Sequence, residues 1–300
     1  MRLSVCLDPG RPWSEASALA RHVDAAGWHA VYQCDHFMPH RFDDSPSRGD
    51  VTECWTTLSA LSVLTSRVRL GSLVLGNTYR HPAVVASMAA TLDRISGGRV
   101  VLGLGAGWQP NEHGAYGIPL PGAAARIEAL GEACAILRML LDDGLCTFVG
   151  STYRLRDATC EPSPVQERLP LLVGGGGELR TMKVAAQYAD VWHCWAGPAA
   201  FAAKNEVLDQ HCRDVGRDPA AVARATGAVV ALAPARTDVS GDPQDADVVG
   251  SIAQVTERLL RFGAAGADEF IVRDVATTSL DSTLALIDRL TEDVLPALAE

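Results

Sequence analysis

Residues 67–107 read RVRLGSLVLGNTYRHPAVVASMAATLDRISGGRVVLGLGAG, and this stretch decides the fold. Arg67–Gly76 is an apolar run of strand length. Pro82 then opens a helix, at the one position where a missing N–H costs nothing. Val84, Val85, Met88, Leu92 and Ile95 recur at helical spacing and mark its buried face. Gly97-Gly98 stops it, and Arg99–Gly107 is the next strand. Strand, helix, strand is a βαβ unit, whose crossover implies parallel strands.

The same unit repeats in both directions. Upstream, Leu3–Asp8 is strand-like. Trp13–Ala26 is helical, with Ser14 expected as N-cap and Gly27 as its stop. Ala30–Asp35 is a strand and Glu53–Ser66 a helix. Downstream, Gly122–Leu141 is a long helix, and Thr147–Thr159 reads as a hairpin turning at Gly150-Ser151. Leu169–Gly174, Asp190–Trp195, Ala225–Ala233 and Glu269–Arg273 are strands. Helices are expected from about Glu178 to Tyr188 and over Pro198–Val215, Val249–Phe262 and Leu280–Leu298. Pro234–Asp247 is a polar stretch read as mobile. Eight alternating units in 300 residues fit a single (β/α)₈ TIM barrel domain over 1–300, with a hairpin insertion near 147–159. A doubly wound open sheet is the alternative.

Composition sets outer limits. The chain carries 26 Lys and Arg against 36 Asp and Glu, a formal charge of −10, which argues against a nucleic-acid partner. No apolar run is long enough to span a membrane, and no signal peptide is evident, so a cytoplasmic location is expected. The eight cysteines form no CxxC pair and the eight histidines no HExxH, so free thiols and no metal site are expected.

In a barrel of this kind the chemistry sits where the strands end. After the second strand come Asp35 and His36, an acid–imidazole pair able to orient a ligand or move a proton; a helix cap and a surface histidine would look the same. After the third come Gly76, Asn77, Thr78, Tyr79, Arg80 and His81, which turn chemistry alone would also explain. After the fourth come Gly105-Ala106-Gly107-Trp108, then Asn111, Glu112 and His113. The glycines admit a flat ring, and the others add stacking, hydrogen-bonding and acid–base groups. After the fifth, Gly174-Gly175-Gly176-Gly177 precede a helix bearing Arg180 and Thr181, an arrangement suited to phosphate. There is no Walker lysine and no G-x-S-x-G elbow, which disfavours nucleotide hydrolysis and serine hydrolase chemistry. Trp192 and Trp195 straddle the end of the sixth strand, one expected to line the mouth and one to pack outward.

These segments resemble the luciferase-like family of flavin and deazaflavin enzymes, in its F420-dependent oxidoreductase branch. The likeness runs through GWHAVYQCDHF (27–37), ECWTTLSAL (53–61), the deciding stretch extended to Trp108, EHGAYGIPLP (112–121) and LPLLVGGGGELRTMKVAAQYADVW (169–192). The resemblance implies F420 with its ring in the barrel mouth and its phosphate tail at Gly174–Gly177, Arg180 and Thr181; FMN is the alternative cofactor. It implies that Asp35 and His36 flank the ring and that Ser72-Leu73 is a pair often joined by a cis peptide. It assigns cofactor contact to Asn111, with Asn77 and Trp108 lining the same pocket. In related dehydrogenases a catalytic glutamate occupies the position of Trp108, so alcohol oxidation by that route is not expected. The expected reaction is F420H2-dependent reduction of an activated C=C or C=N bond in a small molecule. His36 ranks first as proton donor, with Asp35, Glu53, Glu112 and His113 as further acid–base candidates. An FMN-dependent monooxygenase and a non-catalytic deazaflavin-binding protein are the other readings. Substrate contacts are expected from 38–51, 195–200, 234–248 and the hairpin, and family members are often homodimers.

Overall fold

The computed structural model of the chain describes residues 1–232, 247–275 and 278–299. Among these, eight parallel strands form a closed ring: β1 (Arg2–Leu7), β2 (Ala30–Gln33), β3 (Arg69–Ser72, resuming at Leu75–Gly76), β4 (Val100–Gly105), β5 (Leu171–Gly174), β6 (Val191–His193), β7 (Ala223–Ala228) and β8 (Glu269–Arg273). Val5 of β1 faces Val31 on one side and Val272 on the other. Pairing of Leu70 with Val100 joins β3 to β4 and closes the barrel. The expected TIM barrel is the observed fold.

The two-residue pleat sends alternate side chains inward and outward. Cys6, Ala30, Tyr32, Leu73, Val101, Leu172, Ala225 and Ile271 form the inner cluster. The outward residues pack under a shell of helices that includes α1 (Trp13–Ala25), α2 (Cys54–Ser62), α3 (Pro82–Ser96), α4 (Pro110–Tyr116), α5 (Ala123–Arg138), α6 (Thr181–Tyr188), α7 (Pro198–Asp214), α8 (Ile252–Ala264) and α9 (Leu280–Arg289). Helix α3 begins at Pro82 and ends at Gly97, whose φ of 71° is left-handed, as its sequence predicts. Its buried face differs from expectation: Val85 and Leu92 are buried and Met88 half-buried, but Val84 and Ile95 are exposed, because the small Ala86, Ala89 and Ala90 share the face that meets the barrel.

The strand N-terminal end is closed by buried carboxylates. Asp24 accepts the backbone N–H groups of Ser66, Arg67 and Val68 at 2.7–3.0 Å. At the opposite end Arg11 and Asp274, both with fully buried side chains, form a two-bond ion pair at 2.6 and 2.7 Å. That pair ties the β1–α1 loop to the end of β8.

Several boundaries differ from expectation. Pro12, not Ser14, precedes α1, and no side chain caps that helix. The strand expected over Ala225–Ala233 stops at Ala228. Val230–Leu232 then pairs with Val248–Gly250, residues the periodicity had partly assigned to the next helix. Helix α8 starts later because Ser251 and Gln254 form a reciprocal capping box. Helix α6 starts at Thr181 rather than near Glu178. Residues 234–246 of the stretch read as mobile lie outside the described residues. The hairpin is present, as Leu145–Val149 against Arg154–Thr159. Glu132 of α5 holds its turn by accepting the N–H groups of Ser151, Thr152 and Tyr153. No described helix is long and apolar enough to cross a membrane.

Candidate active site at the barrel mouth

His36 stands just beyond β2, and its position is set by a residue far along the chain. Glu112, on the first turn of α4, is wholly buried. His36 Nδ1 donates to Glu112 Oε1 at 2.8 Å. The other carboxylate oxygen accepts the N–H groups of Phe37 and Met38 at 2.8 and 3.2 Å. The Tyr79 hydroxyl also donates to Oε1. Burial works against charge on either partner. For His36 the Glu112 hydrogen bond and charge outweigh it, and the imidazole pKa is raised. For Glu112 the bonds from His36, Tyr79 and Phe37 outweigh it, and the carboxyl is held below its ordinary range. Nε2 of His36 makes no hydrogen bond among the described residues and is the free end of this unit.

His113 is buried beside Glu112. Its Nδ1 donates to the Gln109 carbonyl at 2.6 Å, which leaves Nε2 to accept the Thr78 hydroxyl at 2.7 Å. Asp35 is also buried. It accepts two bonds from Arg80, at 2.8 and 3.0 Å, and the N–H of Gly76 at 2.9 Å. Arg80 bonds Glu53 as well, and Glu53 caps α2 through the N–H groups of Trp55 and Thr56. Of the acid–base candidates, the imidazole of His36 is the one with a free ring nitrogen beside the mouth; the carboxylates are engaged by several donors each.

Ser72 is absorbed by the barrel wall. Its hydroxyl donates to the Gly103 carbonyl at 2.8 Å and accepts the Gly103 N–H at 3.0 Å. The cis peptide joins Leu73 to Val74, one bond later than the Ser72-Leu73 expectation. Ser72 remains registered with Gln33, and the Leu73 N–H still bonds the Gln33 carbonyl, so β3 leaves the sheet only after Leu73. Asn77 is buried and donates its N–H to the Gly105 carbonyl at 2.9 Å.

Over the mouth lies a loop held by α4. Asn111 Nδ2 donates to the Ser47 hydroxyl at 2.9 Å, while its buried Oδ1 is unpartnered. Trp108, 40% exposed, meets His36 edge-on at 5.7 Å and His40 at 4.9 Å between ring centres. Phe42 completes this aromatic group at 5.6 Å from Trp108.

The glycine loop follows β5. Gly175 has φ of +133°, a region that favours glycine, and its N–H donates to the His193 carbonyl at 2.9 Å. Gly177, Arg180 and the loop residues between them are exposed, whereas Thr181 is buried at the start of α6. Arg180 is the residue before that helix rather than part of its first turn. Lys204 of α7 reaches the loop from the side, donating to the Gly176 carbonyl at 2.9 Å and to Glu178 at 2.8 Å.

Three mouth residues escaped the sequence reading. Lys204 carries no local signal, because packing of α7 alone brings it to the loop. His193 and Arg273 close β6 and β8, so strand-end position would have found them. His193 is buried with Nε2 unpartnered, and burial lowers its pKa to about 3. Arg273 is exposed and is registered opposite Cys6, and its side chain forms no hydrogen bond or ion pair among the described residues. Trp195 is half-exposed against His193, while Trp192 is buried on Phe201, so the two tryptophans divide as expected. No described cluster of three or more His, Cys, Asp or Glu could hold a metal.

The luciferase-like monooxygenase family profile matches residues 1–242. An F420-dependent glucose-6-phosphate dehydrogenase of Intrasporangium calvum is 36% identical over 178 residues, covering 58% of this chain and 52% of that protein. A pyrimidine monooxygenase of Stutzerimonas stutzeri is 34% identical over 172 residues, covering 55% and 47%. The chain thus spans about half the length of the curated relatives it matches. An F420-dependent secondary alcohol dehydrogenase in complex with an F420–acetone adduct superposes with a TM-score of 0.83, at 22% identity over 100% of this chain and 99% of that one. The F420-dependent tetrahydromethanopterin reductase of Methanopyrus kandleri gives 0.82, at 18% identity over 99% of both chains. With a closed (β/α)₈ barrel and a family profile that covers most of its length, this chain belongs to the luciferase-like monooxygenase family.

Proposed function

We propose that this protein is an F420-dependent oxidoreductase that reduces an activated C=C or C=N bond of a small organic molecule. The observation that carries the reading is the His36–Glu112 unit: one ring nitrogen is fixed at 2.8 Å and the other is left free beside the mouth. The F420 assignment draws on the F420-dependent relatives and on a mouth whose residues fit such a group. The buried Asn111 Oδ1 and His193 Nε2 lack partners, and the glycine loop offers exposed backbone beside Arg180 and Lys204.

When bound, the deazaflavin supplies hydride exchange at its C5. Gly176 and Gly177 would hold its phosphate through backbone N–H groups, with Arg180, Thr181 and Lys204 adding charge and a hydroxyl; Gly174 ends β5, and the Gly175 N–H is already bonded to the His193 carbonyl, so these two would shape the loop. Asn111 and Asn77 would contact the ring region from the β4 and β3 sides, over the wall built by Ser72 and Leu73. Asp35 acts through Arg80 and the Gly76 N–H, fixing the shape of the mouth. His36 would carry the proton on Nε2 and deliver it to the substrate. Glu112 holds the ring in place and favours its protonated form. Trp108 excludes water and supplies no acid or base, which favours the reductive direction.

The acidic chain suits a small-molecule partner rather than nucleic acid. A homodimer through α2 and α3 is part of the proposal. Val63, Leu64, Val84 and Ile95 are exposed there, beside a groove of about 250 Å³ lined by Trp55, Met88 and Leu92.

Fluorescence and calorimetric titration with oxidised F420 and, separately, FMN tests the cofactor. Micromolar F420 binding with negligible FMN binding is expected. The reverse preference makes oxygen-dependent monooxygenation the better reading. Binding of F420 with no acceptor-dependent reoxidation of F420H2, across a panel of enones and imines, would leave only a binding protein.

A further inference from the structure

Within the inner cluster of the barrel, two thiols from neighbouring strands touch. Cys6 of β1 and Cys34, one residue past β2, both point inward, and their sulfurs lie 3.5 Å apart. Of the eight cysteines, Cys34 alone is not fully buried. His36 lies two residues on, and Arg273 faces Cys6 across the β1–β8 register. We propose that Cys34 and Cys6 are an oxidisable dithiol in the barrel mouth, in which Cys34 reacts with a small hydroperoxide and Cys6 closes the disulfide.

The chemistry follows from the surroundings. Reactive cysteines sit in electropositive, partly accessible places, and sensor thiols have a second thiol within reach. The hydrogen bond from Cys6 brings the Cys34 thiol down to about 7 against the effect of burial, and the charges of His36 and Arg273 add to it; Asp8 acts the other way. Cys6, wholly enclosed, is held up by the same contact and stays a thiol. Cys54, on α2 nearby, is raised by burial and donates to the Gln33 carbonyl. An attacking thiol is most effective when its pKa lies near the ambient pH.

In the first step the Cys34 thiolate attacks one oxygen of the hydroperoxide. The O–O bond breaks, an alcohol or water leaves with the electron pair and a proton, and Cys34 becomes a sulfenic acid. In the second step the Cys6 sulfur attacks Cys34 and the S–O bond breaks. Hydroxide leaves and takes the Cys6 proton as water. Two thiols are oxidised to one disulfide and one peroxide is reduced. Closing the sulfurs to about 2.05 Å ties β1 to β2 under His36. The product is reversible by an external thiol, and the inference does not depend on the F420 reading.

The test uses the purified full chain, cofactor-free, with hydrogen peroxide and with tert-butyl hydroperoxide as probes. Peptide mapping of the oxidised protein is expected to show a Cys6–Cys34 cross-link, formed roughly five- to tenfold faster than a thiol of ordinary acidity is consumed. Cys6→Ser should halt at a sulfenic acid on Cys34 that dimedone captures, and Cys34→Ser should leave Cys6 reduced. Circular dichroism of both variants checks folding. If either variant fails to fold, the wild-type map decides. A wild-type map with the cross-link elsewhere, Cys34 over-oxidised without a cross-link, or all eight thiols consumed at one slow rate would overturn the inference.

Discussion

Glu112 and His36 lie 76 positions apart in sequence, yet their side chains meet at 2.8 Å, one fully buried and the other 20% exposed. Helix α4 holds the carboxylate, and the carboxylate holds the β2 loop through Phe37 and Met38 as well as the imidazole. Glu112 therefore fixes the position of His36 and is the main support for its protonated form, with smaller contributions from the charges of Cys34 and Asp35.

Glu112→Gln is expected to lower the His36 imidazole pKa, read by NMR of the ring protons. It should also move the alkaline limb of acceptor reduction to lower pH. The sign follows from linkage. His36 is raised in the folded protein, so its contribution to stability is whole below the unfolded value and is lost as pH rises through the folded one. Glu112 is lowered, so its contribution is whole above the ordinary carboxyl range and is lost as pH falls through the folded value. The unit is thus most stabilising between those two limits. Loss of the buried carboxylate should cost about 2–4 kcal/mol at neutral pH, discounted for the part-exposed imidazole. An unchanged imidazole titration would remove Glu112 from the argument.

The barrel was legible because its signals are local. Pro82 and Gly97 bound α3 in sequence as in space, and strand-end position brought Asp35, His36 and the Gly174–Gly177 loop forward. The division of labour among the mouth residues was not legible. Glu112 looks like any acid in the first turn of a helix until the 36–38 loop folds onto it. Lys204 reaches the glycine loop only through packing of α7. The late start of α8 came from the Ser251–Gln254 capping box, which outweighed the apolar run that pointed to an earlier start. The break after Leu73 depends on where β3 leaves the sheet, a tertiary event that no residue pattern within Ser72–Val74 specifies.

Arg11→Met should destabilise the fold by about 3–5 kcal/mol, because it strands the buried carboxylate of Asp274. It also removes bonds to the Val275 and Thr278 carbonyls. Urea denaturation at neutral pH measures this directly. Replacing both partners together, Arg11→Met with Asp274→Leu, should recover part of the loss, since no unpaired charge then remains inside. A double variant no more stable than the single one would contradict that account.

Gly175→Ala should weaken cofactor binding about tenfold and cost about 1–3 kcal/mol of stability. The backbone there has φ of +133°, and an added Cβ would lie 3.0 Å from Thr181 Cγ2. Gly114→Ala is the matched control. Gly114 is inside α4, and nothing lies within 4 Å of its added Cβ. That change should be neutral or stabilising by about 0.5–1 kcal/mol. Equal losses in the two variants would mean that the loop conformation has no special role.

The outer wall tests the proposed assembly independently of the chemistry. Val84 and Ile95 are 54% and 55% exposed on α3, an unfavourable way to present two large apolar side chains to water. Each stable dimer surface of this kind covers about 800 Å² per partner, and carboxylates at its centre are poorly tolerated. Val84→Glu with Ile95→Glu should therefore raise the dimer dissociation constant at least tenfold, seen by sedimentation velocity over a concentration series. Helix α3 should keep its structure, because both positions face away from the core. The barrel mouth is formed at the strand C-termini, so the His36 titration should be unchanged. A wild-type chain that sediments as a monomer at tens of micromolar would refute the assembly and leave the mouth chemistry untouched.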